Sequence, residues 1–262
     1  MIPNILSIAG SDPSGGAGIQ ADIKAISARG GYAMAAITGL TAQNTRGVQA
    51  VSLVDPALVE AQIASIRADI RIDAVKIGML GSADIIAAVA RALAGLEAPV
   101  VLDPVMVAKG GDRLLEAAAV AALRGTLLPM AGLLTPNLPE AADLLGERQA
   151  ADPETMADQG RRLLALGPRA VLMKGGHLGG AGSPDLLVTP SGVIRLDGPR
   201  HATANTHGTG CSLSAALACE LGHGRRLEEA VRRAKDWLGD AIAGADRLAV
   251  GGGHGPVNHF HL

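Results

Sequence analysis

The sequence predicts an α/β protein built on a mostly parallel central sheet with helices on both faces. Three observations carry this. Short apolar runs alternate with longer segments of helical spacing along all 262 residues. The runs are apolar throughout, as strands covered on both faces must be. The 35 glycines fall mainly between the periodic segments, where strand-to-helix turns need them. This length suits one domain over residues 1–262, and no linker, repeat or low-complexity stretch divides it.

Residues 5–9 read as a strand, followed by a glycine-rich turn over 10–18 and a helix with Ile19, Ile23 and Ile26 on its inner face. Strands follow at 34–40 and 48–54, then a helix carrying Val59, Ile63, Ile66 and Ile70. Residues 75–77 form a strand, and the next helix turns Ile85, Ile86, Val89 and Leu93 inward. The strand at 100–102 ends on Asp103, a helix spans about 114–127, and the strand at 133–134 ends on Thr135-Pro136-Asn137. Helices over 138–146 and 154–166 precede a strand at 170–173, which runs into Lys174. Two strands at 186–188 and 193–196 are close enough to pair. A helix starting near Cys211 and another presenting Leu227, Val231, Ala234, Leu238 and Ile242 complete the fold. Residues 254–262 lack periodicity and read as a surface tail, whose histidines are too scattered to argue for a metal site.

Charge and composition exclude several classes of function. Lys and Arg number 23 against 25 Asp and Glu, so no basic surface argues for nucleic acid. The aromatic residues are Tyr32, Trp237 and Phe260, too few for base-stacking platforms. No uncharged run is long enough to span a membrane, and the first residues lack a signal-peptide pattern. Cys211 and Cys219 lie eight apart on one helix and cannot bridge, which suits a reducing, cytoplasmic setting.

The stretch from Asn205 to Ala216 is the most informative. Gly208, Thr209 and Gly210 precede Cys211, and Leu213, Ala216, Leu217 and Leu221 begin a helical stripe. Cys211 is therefore expected in the first turn of a helix. There, free N–H groups and the helix dipole attract phosphate and should lower the thiol pKa. A small buried cysteine without chemistry is the plain alternative.

Ligands of a parallel α/β sheet bind beyond the carboxyl ends of its strands. Asp103, Asn137, Glu140 and Lys174 all fall there. Each has an ordinary reading: a turn before Pro104, a helix-capping box and a solvated strand end. Their convergence on one edge points instead to phosphoryl transfer, which needs cations, N–H donors and a base. Lys174 supplies charge to phosphate, Asp103 and Glu140 are hard oxygen donors for Mg²⁺, Gly208 to Gly210 supply N–H groups, and Cys211 is left as the base. The Gly-Lys-Ser/Thr phosphate loop is absent.

Several motifs make the resemblance specific. They are the run from Ala9 through Asp12-Pro13 to Asp22, Thr41-Ala42-Gln43-Asn44-Thr45, Lys76-Ile77-Gly78-Met79-Leu80 and Leu102-Asp103-Pro104-Val105-Met106. Thr135-Pro136-Asn137-Leu138-Pro139-Glu140, Met173-Lys174-Gly175-Gly176-His177, Thr206-His207-Gly208-Thr209-Gly210-Cys211 and Gly255-Pro256-Val257 complete the set. Across essentially the whole chain, this resembles the ribokinase-like superfamily and, within it, the hydroxymethylpyrimidine/phosphomethylpyrimidine kinases of thiamine biosynthesis.

The resemblance implies an ATP- and Mg²⁺-dependent enzyme that phosphorylates 4-amino-5-hydroxymethyl-2-methylpyrimidine and then its monophosphate. Cys211 stands where sugar kinases of the superfamily carry a catalytic aspartate. Gly10, Asp22, Gln43, Met79 and Val105 match positions lining the pyrimidine pocket. Asn137, Lys174 and Thr209 match nucleotide positions, with Asp103 and Glu140 toward the metal. A homodimer is implied as well. A pyridoxal-type kinase and a non-catalytic pyrimidine-binding module are the alternatives.

Overall fold

The structure is a computed structural model describing residues 1–106, 117–180 and 182–261. Nine strands form one sheet in the order β3-β2-β1-β4-β5-β6-β7-β8-β9. They are β1 (Asn4–Ser11), β2 (Tyr32–Asn44), β3 (Gly47–Leu53), β4 (Ala74–Ile77), β5 (Val100–Leu102), β6 (Leu133–Leu134), β7 (Val171–Met173), β8 (Asp185–Thr189) and β9 (Gly192–Leu196). The helices are α1 (Gly18–Ala28), α2 (Pro56–Asp69), α3 (Ala83–Leu93), α4 (Ala117–Ala122), α5 (Leu138–Leu145), α6 (Pro153–Leu164), α7 (Thr209–Gly222) and α8 (Leu227–Ala243).

β1, β2 and β4 to β7 are parallel, while β3, β8 and β9 join by antiparallel pairing to their neighbours. The mostly parallel α/β fold expected from the sequence is thus present. β2 runs past the apolar stretch to Asn44, because the polar residues at its end pair with β3. The expected helix over 114–127 is only partly visible. Residues 114–116 lie outside the described residues, and α4 gives way to a π turn over Leu123–Leu127.

Strand alternation sorts the core into two layers. Leu6, Ile8, Val75, Ile77, Leu102, Leu134, Val171 and Met173 pack on one side with residues of α2, α3, α5 and α6. Ile5, Ala74, Val101, Leu133 and Leu172 face the other way, toward α1, α7 and α8. On β4 this alternation turns Lys76 toward α1 and α7. On β1 it turns Ser7 the same way.

One inner-face assignment of the sequence reading is wrong. Ile23 is 39% exposed, whereas Asp22 is fully buried. The inward stripe of α1 is Ile19, Asp22 and Ile26, spaced i, i+3 and i+7. The terminal residues are also not a surface tail. Gly255 to Val257 are buried, and His207 N–H donates to Gly255 O. His259 Nε2 lies 2.8 Å from Ser212 Oγ, and its ring packs beside Trp237. Burial and the nearby Lys24 push His259 down to about 4, so it is held neutral.

Candidate active site

The carboxyl ends of the parallel strands share one edge and open on a cavity of about 1300 Å³. The strand order fixes where each side chain stands along it. Gln43 from β2, Gly10 from β1, Met79 after β4 and Val105 after β5 line one half. Asn137 and Glu140 after β6 and Lys174 after β7 line the other. α7 packs over β1, β4 and β5, so its N-terminus meets the cavity between the halves.

The first half is a slot with an amide at one side. A Cβ on Gly10 would lie 2.9 Å from Met79 Cε, so only glycine lets the thioether close the slot. Gln43 Oε1 accepts from Thr41 Oγ1 at 3.1 Å, and Gln43 Nε2 is 3.5 Å from His207 Nε2. His207 is steered by Asp12, whose Oδ2 lies 2.8 Å from Nε2. Burial alone would raise Asp12, but hydrogen bonds from His207 and Ser14 hold it below the usual carboxylate range. Asp12 and His207 stand in the motifs noted above, but the sequence assigns neither a role. The cue available was a histidine directly before the Gly-Thr-Gly run. Gln43→Leu removes both hydrogen-bonding groups at this wall while keeping side-chain bulk. A polar ligand edge left unpaired there costs about 1–3 kcal/mol. Calorimetry should show hydroxymethylpyrimidine binding weakened by that amount and ADP binding unaltered. Unchanged pyrimidine affinity would remove Gln43 from the pocket.

The second half is a lysine set between two carboxylates. Lys174 Nζ donates to Asp103 Oδ1 at 2.8 Å and lies 3.8 Å from Glu140 Oε2. Thr135 Oγ1 donates to the same Asp103 oxygen. Burial would lower Lys174, but Asp103 and Glu140 reverse this and hold it firmly charged. Burial pushes Glu140 up to about 7, against the pull of Lys174. The capping-box reading of Asn137 and Glu140 is also real. Asn137 Oδ1 accepts from Glu140 N–H at 2.9 Å, and Glu140 Oε2 accepts from Asn137 N–H at 2.8 Å. The cap fixes both side chains at the cavity wall.

Among the described residues, no cluster of three or more His, Cys, Asp or Glu could hold a metal unaided. Two carboxylates flanking a charged lysine do fit Mg²⁺ beside a phosphate, since that ion takes one or two carboxylates and completes its shell with water and phosphate.

α7 begins at Thr209, with Gly208 as its N-cap in the left-handed region at φ 76°. A Cβ there would lie 1.8 Å from Gly16 O. Cys211 is in the first turn, as expected, and half-buried at the cavity. The expected fall in its pKa is overturned: burial pushes the thiol up to about 11. Lys76 and the N–H of Gly18 pull the other way, while Asp22 and Asp103 push with burial. A helix N-terminus contributes about 0.3–1 kcal/mol, up to about 2. Enclosing a thiolate costs up to several pKa units, which is the larger effect.

Asp22 was expected to line the pocket, but it stands behind the wall. It accepts from Ser7 Oγ at 2.6 Å and from Lys76 Nζ at 2.7 Å, and its Oδ1 has no hydrogen-bond partner among the described residues. Burial raises Asp22. Lys76, fully buried, reaches the cavity in its place. Burial would lower Lys76, but Asp22, Cys211 and Asp103 raise it.

The phosphomethylpyrimidine kinase family model matches residues 12–258. The chain is 56% identical over 259 residues to the hydroxymethylpyrimidine/phosphomethylpyrimidine kinase of Escherichia coli, covering 98% of this chain and 97% of that one. Among solved structures, it resembles phosphomethylpyrimidine kinase of Clostridium difficile, with TM-score 0.80, 41% identity and coverage of 92% and 99%. It also resembles Bacillus subtilis pyridoxal kinase in its ADP complex, with TM-score 0.91, 36% identity and coverage of 99% and 98%. A full-length match at this identity, on a sheet edge carrying the expected motifs, places the chain in the phosphomethylpyrimidine kinase family.

Proposed function

We propose that this chain transfers the γ-phosphate of ATP first to the hydroxymethyl group of 4-amino-5-hydroxymethyl-2-methylpyrimidine and then to the resulting monophosphate. The observation that carries this is the order along the sheet edge. An amide-and-thioether slot stands at one end, a lysine–carboxylate set at the other, and a thiol at a helix N-terminus between them. The E. coli relative is named for both acceptors, and the B. subtilis relative was solved with ADP.

In the first step the hydroxymethyl oxygen attacks the γ-phosphorus in line. The new O–P bond forms as the bond to the β-phosphate oxygen breaks, and the hydroxyl proton passes to the Cys211 thiolate, which becomes the thiol. Lys174 and the N–H groups at Gly208, Thr209 and Gly210 hold the phosphate oxygens. Asn137 orders the nucleotide side. Asp103 and Glu140 would hold Mg²⁺, which would neutralise phosphate charge when bound. Gln43 orients the aminopyrimidine edge while Met79 and Val105 cover its faces.

Incubating the protein with ATP, Mg²⁺ and hydroxymethylpyrimidine should give the diphosphate by mass. Arrest at the monophosphate would confine the enzyme to one step, and preferred turnover of pyridoxal would make it a pyridoxal kinase.

The protein also acts as a homodimer in the cytoplasm on this reading. Leu40, Val51 and Leu53 are exposed on the hairpin at one sheet edge, where a second copy would cover them. Among the described residues, no helix is long and apolar enough to cross a membrane.

A further inference from the structure

We infer that Arg200 is a positioning residue for the nucleotide, acting as a clamp that shapes the glycine-rich segment after β7. This rests on reading the Lys174 end of the cavity as the nucleotide end. Glycine occupies positions 175, 176, 179, 180 and 182. Such backbone loses the most freedom on ordering and has few side chains to hold it. Yet Gly176 and His177 line the cavity directly beyond Lys174, so their placement decides the shape of that end.

Arg200 follows β9 and reaches back across this segment. Nη1 donates to Gly176 O at 3.0 Å, and Nη2 to Leu178 O at 2.7 Å and to Gly182 O at 3.2 Å. Nε donates to Gly180 O at 3.1 Å. One planar fork thus gathers four carbonyls from one short segment. A lysine ammonium has three donors on a flexible stem and cannot reproduce that geometry.

A second anchor sits at the segment's ends. Asp185 Oδ1 accepts from Gly175 N–H at 2.9 Å, while Lys235 Nζ donates to Asp185 Oδ2 at 2.5 Å and to Ser183 O at 3.0 Å. Lys235 and Asp185 hold the ends, leaving Arg200 to hold the middle. The strand order puts this clamp at the far end of the sheet edge from Gln43. Loosening it therefore reaches the nucleotide before the pyrimidine.

The test compares Arg200→Ala and Arg200→Lys with the parent. Both variants should raise the Kd for ADP and the KM for ATP about tenfold, with kcat within about threefold. Hydroxymethylpyrimidine affinity should not change. Millimolar guanidinium should restore ADP binding to Arg200→Ala but not to Arg200→Lys. Hydrogen exchange at the amides from Gly176 to Gly180 should accelerate in both variants without any ligand. Unaltered exchange would overturn the clamp itself. Faster exchange with unaltered ADP binding would overturn its link to the nucleotide, and equal losses of ADP and pyrimidine binding would reduce Arg200 to a stability residue. A parent protein that fails to bind ADP would refute the proposed function, while the exchange experiment would still decide the clamp.

Discussion

Cys211→Ala is expected to slow the first phosphorylation by about 10²–10⁴ and the second far less. The hydroxymethyl oxygen is a poor nucleophile while it keeps its proton, so the first step needs a base within reach. The second acceptor is a phosphate already ionised near neutrality, so it needs little deprotonation. Cys211→Ser, of similar size but weakly basic, should behave like alanine in the first step. The raised thiol pKa of about 11 adds a pH signature. Below that pKa, the thiolate fraction grows about tenfold for each unit of rising pH. The first-step rate should climb with pH through the neutral and mildly alkaline range, while the second stays nearly flat. Cys211→Ala should abolish the climb. Single-turnover rates with each acceptor give the answer. Equal losses in both steps would make Cys211 a positioning group at the helix N-terminus, and no loss would leave it a packing residue.

Lys76→Met is expected to destabilise the fold by about 3–5 kcal/mol, because it strands the Asp22 carboxylate where water cannot reach it. Converting both members, with Asp22→Asn added, should recover most of that loss. Denaturant melts of the single and double variants measure this. Thiol reactivity separates structure from electrostatics. Lys76 favours the Cys211 thiolate and Asp22 opposes it. Iodoacetamide should therefore alkylate Cys211 more slowly in Lys76→Met and faster in Asp22→Asn. A purely structural pair would shift both variants in the same direction. A Lys76→Met protein as stable as the parent would show that the ion pair does not hold this region together.

What the sequence revealed and what it hid have physical causes. The helix opening at Thr209 was legible because glycines precede an apolar stripe. The Asn137–Glu140 cap was legible because its spacing is local. Both depend on contacts within a few residues. Ile23 is placed inward by spacing because Asp22 beside it satisfies the same pattern, and only packing decides which of the two turns inward. Lys76 carries a cue of its own. A lysine inside the strand Ala74–Ile77, in a sheet covered on both faces, must be buried and so requires a carboxylate. The thiol pKa was misjudged because a helix dipole shows in a sequence and the enclosure of a sulfur atom does not. The burial of His259 depends on α7 and α8 closing over it, which no local pattern in the last residues records.

The strand order along the sheet edge has a consequence for how such an enzyme can diverge. Gln43 and Gly10 close β2 and β1 and Met79 follows β4, whereas Asn137 follows β6 and Lys174 and Gly176 follow β7. Neighbouring strands stand about 4.8 Å apart, so β2 and β7 are separated by roughly 24 Å of sheet. Substitutions at that distance contribute nearly independently. On the proposed assignment of the two ends, acceptor choice and donor handling are separable traits, each open to drift or redesign on its own set of strand tips. A library confined to positions 10 and 43, on the strands farthest from β6 and β7, would test this by retuning which small ring is accepted without changing ADP affinity.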